Sequence, residues 1–158
     1  VNPITNFTEY FKVFKDNLEI RNGQQVHFEL GRSIVAQCGA LVSSVLYVKQ
    51  GHTKNFLIVD AGFTELIRPA MYGSLHYTEN ISAEGASTAH YDIVGPICES
   101  SDVFAKDYAL PTSQRGDIIV FRSAGAYGEV MASTYNCRML PHTFTTEQIL
   151  NKQFNSWN

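Results

Sequence analysis

After residue 22, the apolar residues of this chain occur in short, β-prone runs that are separated by turn residues. Residues 25–29 alternate polar and apolar side chains, as a half-buried strand does, and residues 33–49 form a longer β-prone stretch. Further strands are predicted at residues 55–60, 91–97, 117–122 and 130–135, with a turn at Gly51-His52 and a loop over residues 74–90. Strands at such intervals predict a mainly β fold, an antiparallel sandwich or barrel.

The first segment has a helical period instead. Apolar residues recur at steps of three and four from Ile4 to Leu18, which gives one apolar stripe. Asn2 suits the N-cap, Pro3 suits the first helical position, and Asn22-Gly23 suits the stop. A helix with so apolar a face is expected to dock on another surface.

The change of period near residues 29–33 predicts a join between two units. Residues 1–30 form an α-then-β unit, and residues 31–158 form an all-β unit. A short terminal helix is predicted from Thr145 through Leu150.

Composition and charge exclude several classes of protein. The chain is 44% hydrophobic and 17% charged, as globular domains are, and its net charge of −3 without a basic block argues against nucleic-acid binding. The longest apolar-leaning run, residues 34–48, is too short and too polar to span a membrane. The N-terminus has no secretory signal and no initiator Met, which suggests a fragment or a processed chain.

The cysteines and histidines do not show metal-ligand spacing. Cys38, Cys98 and Cys137 are far apart in the sequence and form no CxxC motif, which argues against a disulfide framework and a zinc site. We expect no metal and a reducing, cytoplasmic compartment.

Two segments place an arginine where it could meet an anion. Arg32 follows Gly31 at the end of a predicted strand, although spacing alone favours an ordinary turn with a surface ion pair. Arg68 and Tyr72 are four residues apart, so one helical turn would let both converge on an anion. A connector in which Arg68 pairs with Glu65 explains that spacing equally well.

Two other segments carry groups that could react or bind. Cys98 lies in a run of Glu, Ser and Asp after a predicted strand, where it could be a proton donor or nucleophile, or an inert buried thiol beside a helix N-cap. Tyr127 is flanked by Gly125 and Gly128, so its hydroxyl could be displayed to a phosphate, or the segment could be an ordinary hairpin turn.

Together, these segments resemble the diaminopimelate decarboxylases, which are fold-type III decarboxylases that depend on pyridoxal 5′-phosphate (PLP). The resemblance runs from about Glu29 to Pro141. The matching segments are residues 31–36 (GRSIVA), 57–63 (LIVDAGF), 68–69 (RP), 95–102 (GPICESSD) and 123–128 (SAGAYG). The order of these segments and the Cys-Glu-Ser-Ser-Asp run make the resemblance specific.

The resemblance implies an enzyme with a PLP-binding (β/α)8 barrel, a C-terminal β-domain and active sites shared across a homodimer. Residues 1–30 would then be the last helix and strand of the barrel. On the cofactor side, the resemblance implies that Glu29 faces the pyridine nitrogen and that Gly31, Arg32 and Tyr127 contact PLP. Arg32 and Tyr127 would also touch the substrate.

On the substrate side, the resemblance implies that Arg68 and Tyr72 grip the distal carboxylate of meso-2,6-diaminopimelate. Glu99 would meet its distal ammonium, and Cys98 of the partner subunit would return a proton to the α-carbon. A site for this substrate needs a cation and an anion side by side, and Arg68 and Glu99 could supply them.

The chain departs from the family pattern in two ways. Leu30 stands where the family usually has Pro. The Schiff-base lysine and the glycine-rich phosphate loop, expected upstream, are absent, and each Lys reads as a surface residue, so we expect the chain to be inactive alone. Two alternatives stay open: a fragment of an ornithine, arginine or carboxynorspermidine decarboxylase, and a non-catalytic β-domain used for dimerisation.

Overall fold

A single six-stranded sheet dominates the computed structural model, which describes residues 4–151. The strands are β1 (Ala40–Gln50), β2 (Asn55–Val59), β3 (Thr78–Asn80), β4 (Thr88–Val94), β5 (Val103–Pro111) and β6 (Ile118–Arg122). Their order in the sheet is β3-β6-β1-β2-β4-β5. Neighbouring strands are antiparallel except β2 and β4, which are parallel.

The sheet is nearly closed into a barrel. Its two outer strands, β3 and β5, lie against each other, and the backbone N–H of Thr78 on β3 donates to the hydroxyl of Tyr108 on β5 at 3.0 Å. The prediction of a mainly β, sandwich-or-barrel domain is confirmed.

Apolar side chains from the sheet fill the barrel because the strands turn one set of side chains inward. Phe104 and Phe121 pack with ring centroids 4.3 Å apart. The core residues that are at most 2% exposed include Val45, Leu57, Val59, Ile93, Ile119 and Phe121. Each such side chain contributes about 1.5–3 kcal/mol of hydrophobic stabilisation.

The helices are short and lie outside the barrel. They are α1 (Phe7–Asn17), α2 (Arg32–Val35), α3 (Arg68–Tyr72) and α4 (Thr146–Leu150), with 3₁₀ turns at Ala36–Cys38, Glu129–Met131 and Tyr135–Cys137. Helix α4 begins with a capping box at Thr145, which confirms the predicted terminal helix. None of the helices within residues 4–151 has the length and apolar character needed to cross a bilayer.

The predicted N-terminal helix is present as α1, but with different ends. Asn6 is its N-cap and accepts a hydrogen bond from the Glu9 N–H, whereas the predicted cap at Asn2 and Pro3 lies outside the described residues. The helix ends at Asn17, before the Asn22-Gly23 turn. The rings of Phe11 and Phe14 lie 4.9 and 4.8 Å from that of Phe28, so the apolar stripe packs on the segment that follows.

Several strand predictions are wrong for one common reason. A β-prone segment becomes a strand only if it pairs with another strand, and that partner can be far away in the sequence. Residues 25–29 form no strand, since no described neighbour pairs with them. The stretch 33–49 begins with α2 and a 3₁₀ turn and becomes a strand only at Ala40. Residues 130–135 contain 3₁₀ turns instead of a strand, and the predicted loop 74–90 contains β3 and the start of β4.

Strand β5 was not predicted at all. Lys106 and Asp107 interrupt its apolar run, and Asp107 has a positive φ of 50°. The strand exists because it pairs with β4. The register between β4 and β5 shifts on both sides of Ile93.

Candidate functional site

A cleft of about 610 Å³ lies where the loop after β6 meets α2 and α3. Its walls come from parts of the chain that are distant in sequence, which the sheet brings together. The lining residues are Thr5, Arg32, Ser33, Ala36, Gln37, Arg68, Ser74, Leu75, His76, Ser123 and Ala126. Arg32 and Arg68 make the cleft cationic.

The Arg68 guanidinium lies near two aromatic rings at this cleft. Its central carbon lies 5.1 Å from the centroid of the Tyr72 ring and 5.5 Å from that of the Tyr127 ring. A guanidinium nitrogen also donates to the Ser74 hydroxyl at 3.3 Å. Helix α3 runs from Arg68 to Tyr72 and is capped by Gly73, which has a left-handed φ of 62°, so the four-residue spacing to Tyr72 does form one helical turn.

Arg68 makes no ion pair with any residue of the described chain. The alternative in which it pairs with Glu65 is wrong, because Glu65 Oε1 accepts from Arg138 Nε at 3.1 Å instead. The positive charge of Arg68 is therefore available to an anionic ligand.

Gly31 and Tyr127 lie next to residues that line the cleft, since Gly31 precedes Arg32 and the Tyr127 ring lies near Arg68. Arg32 is the first residue of α2 and lines the cleft beside Arg68. A Cβ atom added at Gly31 would lie 3.2 Å from the Tyr127 hydroxyl oxygen, so glycine lets the two segments approach closely. Tyr127 has a positive φ of 65°, and its side chain is exposed. A 3₁₀ turn follows it instead of a strand, so the hairpin alternative is wrong.

His76 also lines the cleft, although the sequence analysis did not single it out. It is only 9% exposed, and its Nδ1 lies 2.9 Å from the Arg122 carbonyl oxygen. Because that oxygen can only accept, Nδ1 carries the proton. Nε2 is buried without a hydrogen-bond partner among residues 4–151. The burial of His76 at the cleft could not be predicted from the sequence, because its hydrogen-bond partner Arg122 is 46 residues away.

Cys98 and Glu99 lie in a loop after β4 and do not line the cleft. Cys98 is exposed, so the alternative of an inert buried thiol is wrong. Glu99 Oε1 accepts from the Tyr135 hydroxyl at 2.6 Å. Glu29 is exposed on the segment before α2 and also lies outside the cleft.

Asp102 fixes the base of that loop. It is only 3% exposed and its carboxylate accepts from the backbone N–H groups of Phe63 and Ile97, each at 2.7 Å. Burial raises the pKa of Asp102, and the two N–H donors act in the opposite direction.

An ion pair joins the buried Glu65 carboxylate to the partly exposed Arg138. Glu65 is 7% exposed, and its second oxygen accepts from the Gly62 N–H and the Thr64 hydroxyl. Arg138 also donates to the Asp60 carbonyl oxygen at 2.6 Å. Arg138 and Tyr135 were not predicted as functional or supporting residues.

As for metals, residues 4–151 contain no cluster of three or more His, Cys, Asp or Glu that could hold one.

Comparison with known proteins decides the family. The family model described as "Pyridoxal-dependent decarboxylase, C-terminal sheet domain" matches residues 13–125. The chain belongs to the pyridoxal-dependent decarboxylases. The resemblance read from the motifs is thereby confirmed, and the six-stranded sheet is the C-terminal sheet domain of this family.

Individual relatives in this family are diaminopimelate decarboxylases. That of Bacteroides thetaiotaomicron is 55% identical over 147 residues, which cover 93% of this chain and 38% of the relative. A crystal structure of Helicobacter pylori diaminopimelate decarboxylase complexed with L-lysine superposes with a TM-score of 0.63 at 47% identity, covering 68% of this chain and 26% of that one.

A relative with another substrate is less similar. The Vibrio vulnificus lysine/ornithine decarboxylase complexed with cadaverine superposes with a TM-score of 0.62 at 27% identity, over 68% of this chain and 29% of that one. The chain thus spans less than two fifths of each of these three relatives.

The residues at the cleft suit part of the surroundings that PLP needs. Arg32 lines the cleft and suits an anionic group, and the Tyr127 hydroxyl lies close to Gly31, the residue before Arg32. Within the described residues, no lysine lines the cleft.

Proposed function

We propose that this chain is the substrate-binding and dimerisation part of a PLP-dependent decarboxylase that converts meso-2,6-diaminopimelate to L-lysine and carbon dioxide. The observation that carries this proposal is the Arg68 guanidinium, which lies at a cleft near the rings of Tyr72 and Tyr127 and has no carboxylate partner among the described residues. A fixed guanidinium with an unpaired charge suits a ligand carboxylate.

The substrate has a carboxylate and an ammonium at its distal end. Arg68 with Tyr72 would bind that carboxylate, and Glu99 would bind that ammonium. Arg32 and Tyr127 would contact both cofactor and substrate, while Gly31 and Glu29 would contact PLP. Bound PLP supplies an electron sink for the carbanion that decarboxylation leaves.

Cys98 would return the proton to the α-carbon, because a thiol can act as a general acid. Cys98 and Glu99 are exposed and lie outside the cleft of their own chain. We therefore propose that each active site is completed by these two residues from a second copy. Association of copies is supported by the exposed apolar residues of α1, among them Phe11 and Phe14.

The same features argue against a decarboxylase for ornithine or arginine. Those substrates have no distal carboxylate, so they would leave Arg68 facing the cleft without a partner, at a cost in free energy. The lower identity to the lysine/ornithine decarboxylase, 27% against 47% for the Helicobacter pylori enzyme, favours the same choice.

The decisive experiment is a chimera in which this chain replaces the 147 aligned residues of the Bacteroides thetaiotaomicron enzyme. We expect the chimera to decarboxylate meso-diaminopimelate in preference to ornithine. Arg68→Ala should lower kcat/KM for diaminopimelate by about 30- to 150-fold, the equivalent of losing about 2–3 kcal/mol. Arg115→Ala, an exposed arginine on a turn away from the cleft, is the matched control.

Unchanged diaminopimelate turnover in the Arg68→Ala chimera would refute the assignment of the distal carboxylate. The 158-residue chain alone is expected to show no PLP absorbance and to release no carbon dioxide from meso-diaminopimelate. Turnover by the chain alone would refute the proposal that its lysines do not anchor the cofactor. A concentration-independent monomer mass by light scattering would contradict the proposed dimerisation.

A further inference from the structure

The Glu99 carboxylate is held by a tyrosine that the substrate assignment does not use. The Tyr135 hydroxyl donates to Glu99 Oε1 at 2.6 Å, although the two residues are 36 positions apart in the sequence and both are exposed. A hydrogen bond to an ionised carboxylate is short and stronger than one between neutral groups. This contact therefore restricts a side chain that would otherwise move freely in solvent.

The backbone on the Glu99 side of this contact is fixed. The Glu99 N–H donates to the Ile97 carbonyl oxygen at 2.8 Å, and the Asp102 N–H donates to the Glu99 carbonyl oxygen at 3.1 Å. The buried Asp102 carboxylate ties the loop to the N–H groups of Ile97 and Phe63. The loop thus presents Glu99 from a rigid base.

The Tyr135 side is also fixed. Its ring lies 5.8 Å from the ring of Phe63, the residue whose N–H donates to Asp102. Asn136 and Cys137 have positive φ values of 61° and 59°, which cost about 1–2 kcal/mol per non-glycine residue. Arg138, the next residue, is held by its ion pair with Glu65, which keeps this strained turn in place.

We infer that Tyr135 is a positioning residue that orients Glu99, so that one carboxylate oxygen is held by the phenol and the other is presented to an ammonium group of the ligand. This inference rests on the proposed function, in which Glu99 meets the distal ammonium. Ordering the carboxylate before the ligand arrives reduces the entropy lost on binding. The hydrogen bond to Glu99 is also the main reason that the pKa of Tyr135 is raised, which keeps the phenol protonated as a donor.

The kinetic test is Tyr135→Phe in the chimera, which keeps the ring and its contact with Phe63. We expect KM for meso-diaminopimelate to rise about three- to tenfold with kcat changed less than about twofold, because the interaction is the same in ground state and transition state. With 2-aminopimelate, which keeps the distal carboxylate but lacks the distal ammonium, kcat/KM should change less than about twofold. Tyr47→Phe, on the exposed face of β1, is the control.

Three outcomes would overturn the inference, and the third would overturn the proposed function with it. Equal losses with both substrates in Tyr135→Phe would show a merely structural role. Glu99→Gln separates the remaining cases. If Glu99→Gln abolishes the preference for meso-diaminopimelate over 2-aminopimelate and Tyr135→Phe leaves that preference intact, the inference is wrong and the proposed function stands. If Glu99→Gln itself leaves that preference intact, both fail.

A second measurement uses the 158-residue chain as it is. The ¹³Cζ signal of the Tyr135 phenol should titrate above the ordinary tyrosine pKa of 10.0. Glu99→Gln should move that titration back toward the ordinary value, because it removes the carboxylate that holds the proton. A titration that Glu99→Gln does not move would overturn the inference.

Discussion

The ion pair between Arg138 and Glu65 gives the sharpest stability test of this fold. Glu65 is 7% exposed, and Arg138 satisfies one of its carboxylate oxygens as well as the Asp60 carbonyl oxygen. Arg138→Met keeps most of the side-chain volume and removes both hydrogen bonds. The substitution therefore leaves a buried carboxylate without its charged partner.

The magnitude follows from burial. Breaking a fully buried ion pair costs about 3–5 kcal/mol. The Arg138 side chain is 32% exposed, and the Glu65 carboxylate keeps its hydrogen bonds from Gly62 and Thr64. We therefore expect a smaller loss of about 2–3 kcal/mol in the free energy of unfolding.

The energy of this pair is measured by urea denaturation of four proteins. They are the parent, the single variants Glu65→Gln and Arg138→Met, and the double variant Glu65→Gln/Arg138→Met. Because Gln carries no charge, the double variant should be less destabilised than the sum of the two single variants, by about 1 kcal/mol or more. A loss below about 0.5 kcal/mol in Arg138→Met, or strict additivity in the cycle, would refute the reasoning. Arg115→Met, at an exposed turn, controls for the loss of an arginine.

Two further expectations follow from contacts described by the structure. Lys54 donates to the buried Asp92, and this hydrogen bond is the main reason that the pKa of Asp92 lies below 3.8. The stabilisation by this pair is therefore present above that pH and is lost as the pH falls. In urea denaturation across pH, Lys54→Met should cost about 1 kcal/mol at pH 7 and progressively less below about pH 4. A Cβ at Gly125 would lie 2.2 Å from the Val35 carbonyl oxygen, so Gly125→Ala should cost about 2–4 kcal/mol in thermal unfolding. Gly85 has a positive φ but open space around it, so Gly85→Ala should cost only about 1 kcal/mol. Equal costs at the two glycines would contradict the steric argument.

The parts of the fold that could be predicted are those whose signal is local. Strands β2 and β6 are continuous apolar runs, and their residues Leu57 and Ile119 are fully buried as such runs require. Helix α4 carries its own capping box. In the site, Arg68 and Tyr72 could be paired from their four-residue spacing alone.

The parts that could not be predicted depend on distant partners. Residues 33–38 look β-prone, yet their turn is packed against Gly125, which approaches the backbone of Val35 and Gly39. The bonds of His76, Tyr135 and Arg138 reach residues that are 46, 36 and 73 positions away. Periodicity does not register such distances, so these residues became visible only in the folded chain. The division at residues 30 and 31, and the roles of the individual site residues, stay predictions.

The meeting of β3 and β5 has a consequence for how copies of the chain can associate. A sheet with two open edges offers rows of unpaired N–H and C=O groups onto which another chain can add a strand. Here Tyr108 reaches across and occupies the N–H of Thr78, so one donor on that edge is already taken. A neighbouring chain that paired with β3 at this point would first have to displace the Tyr108 hydroxyl.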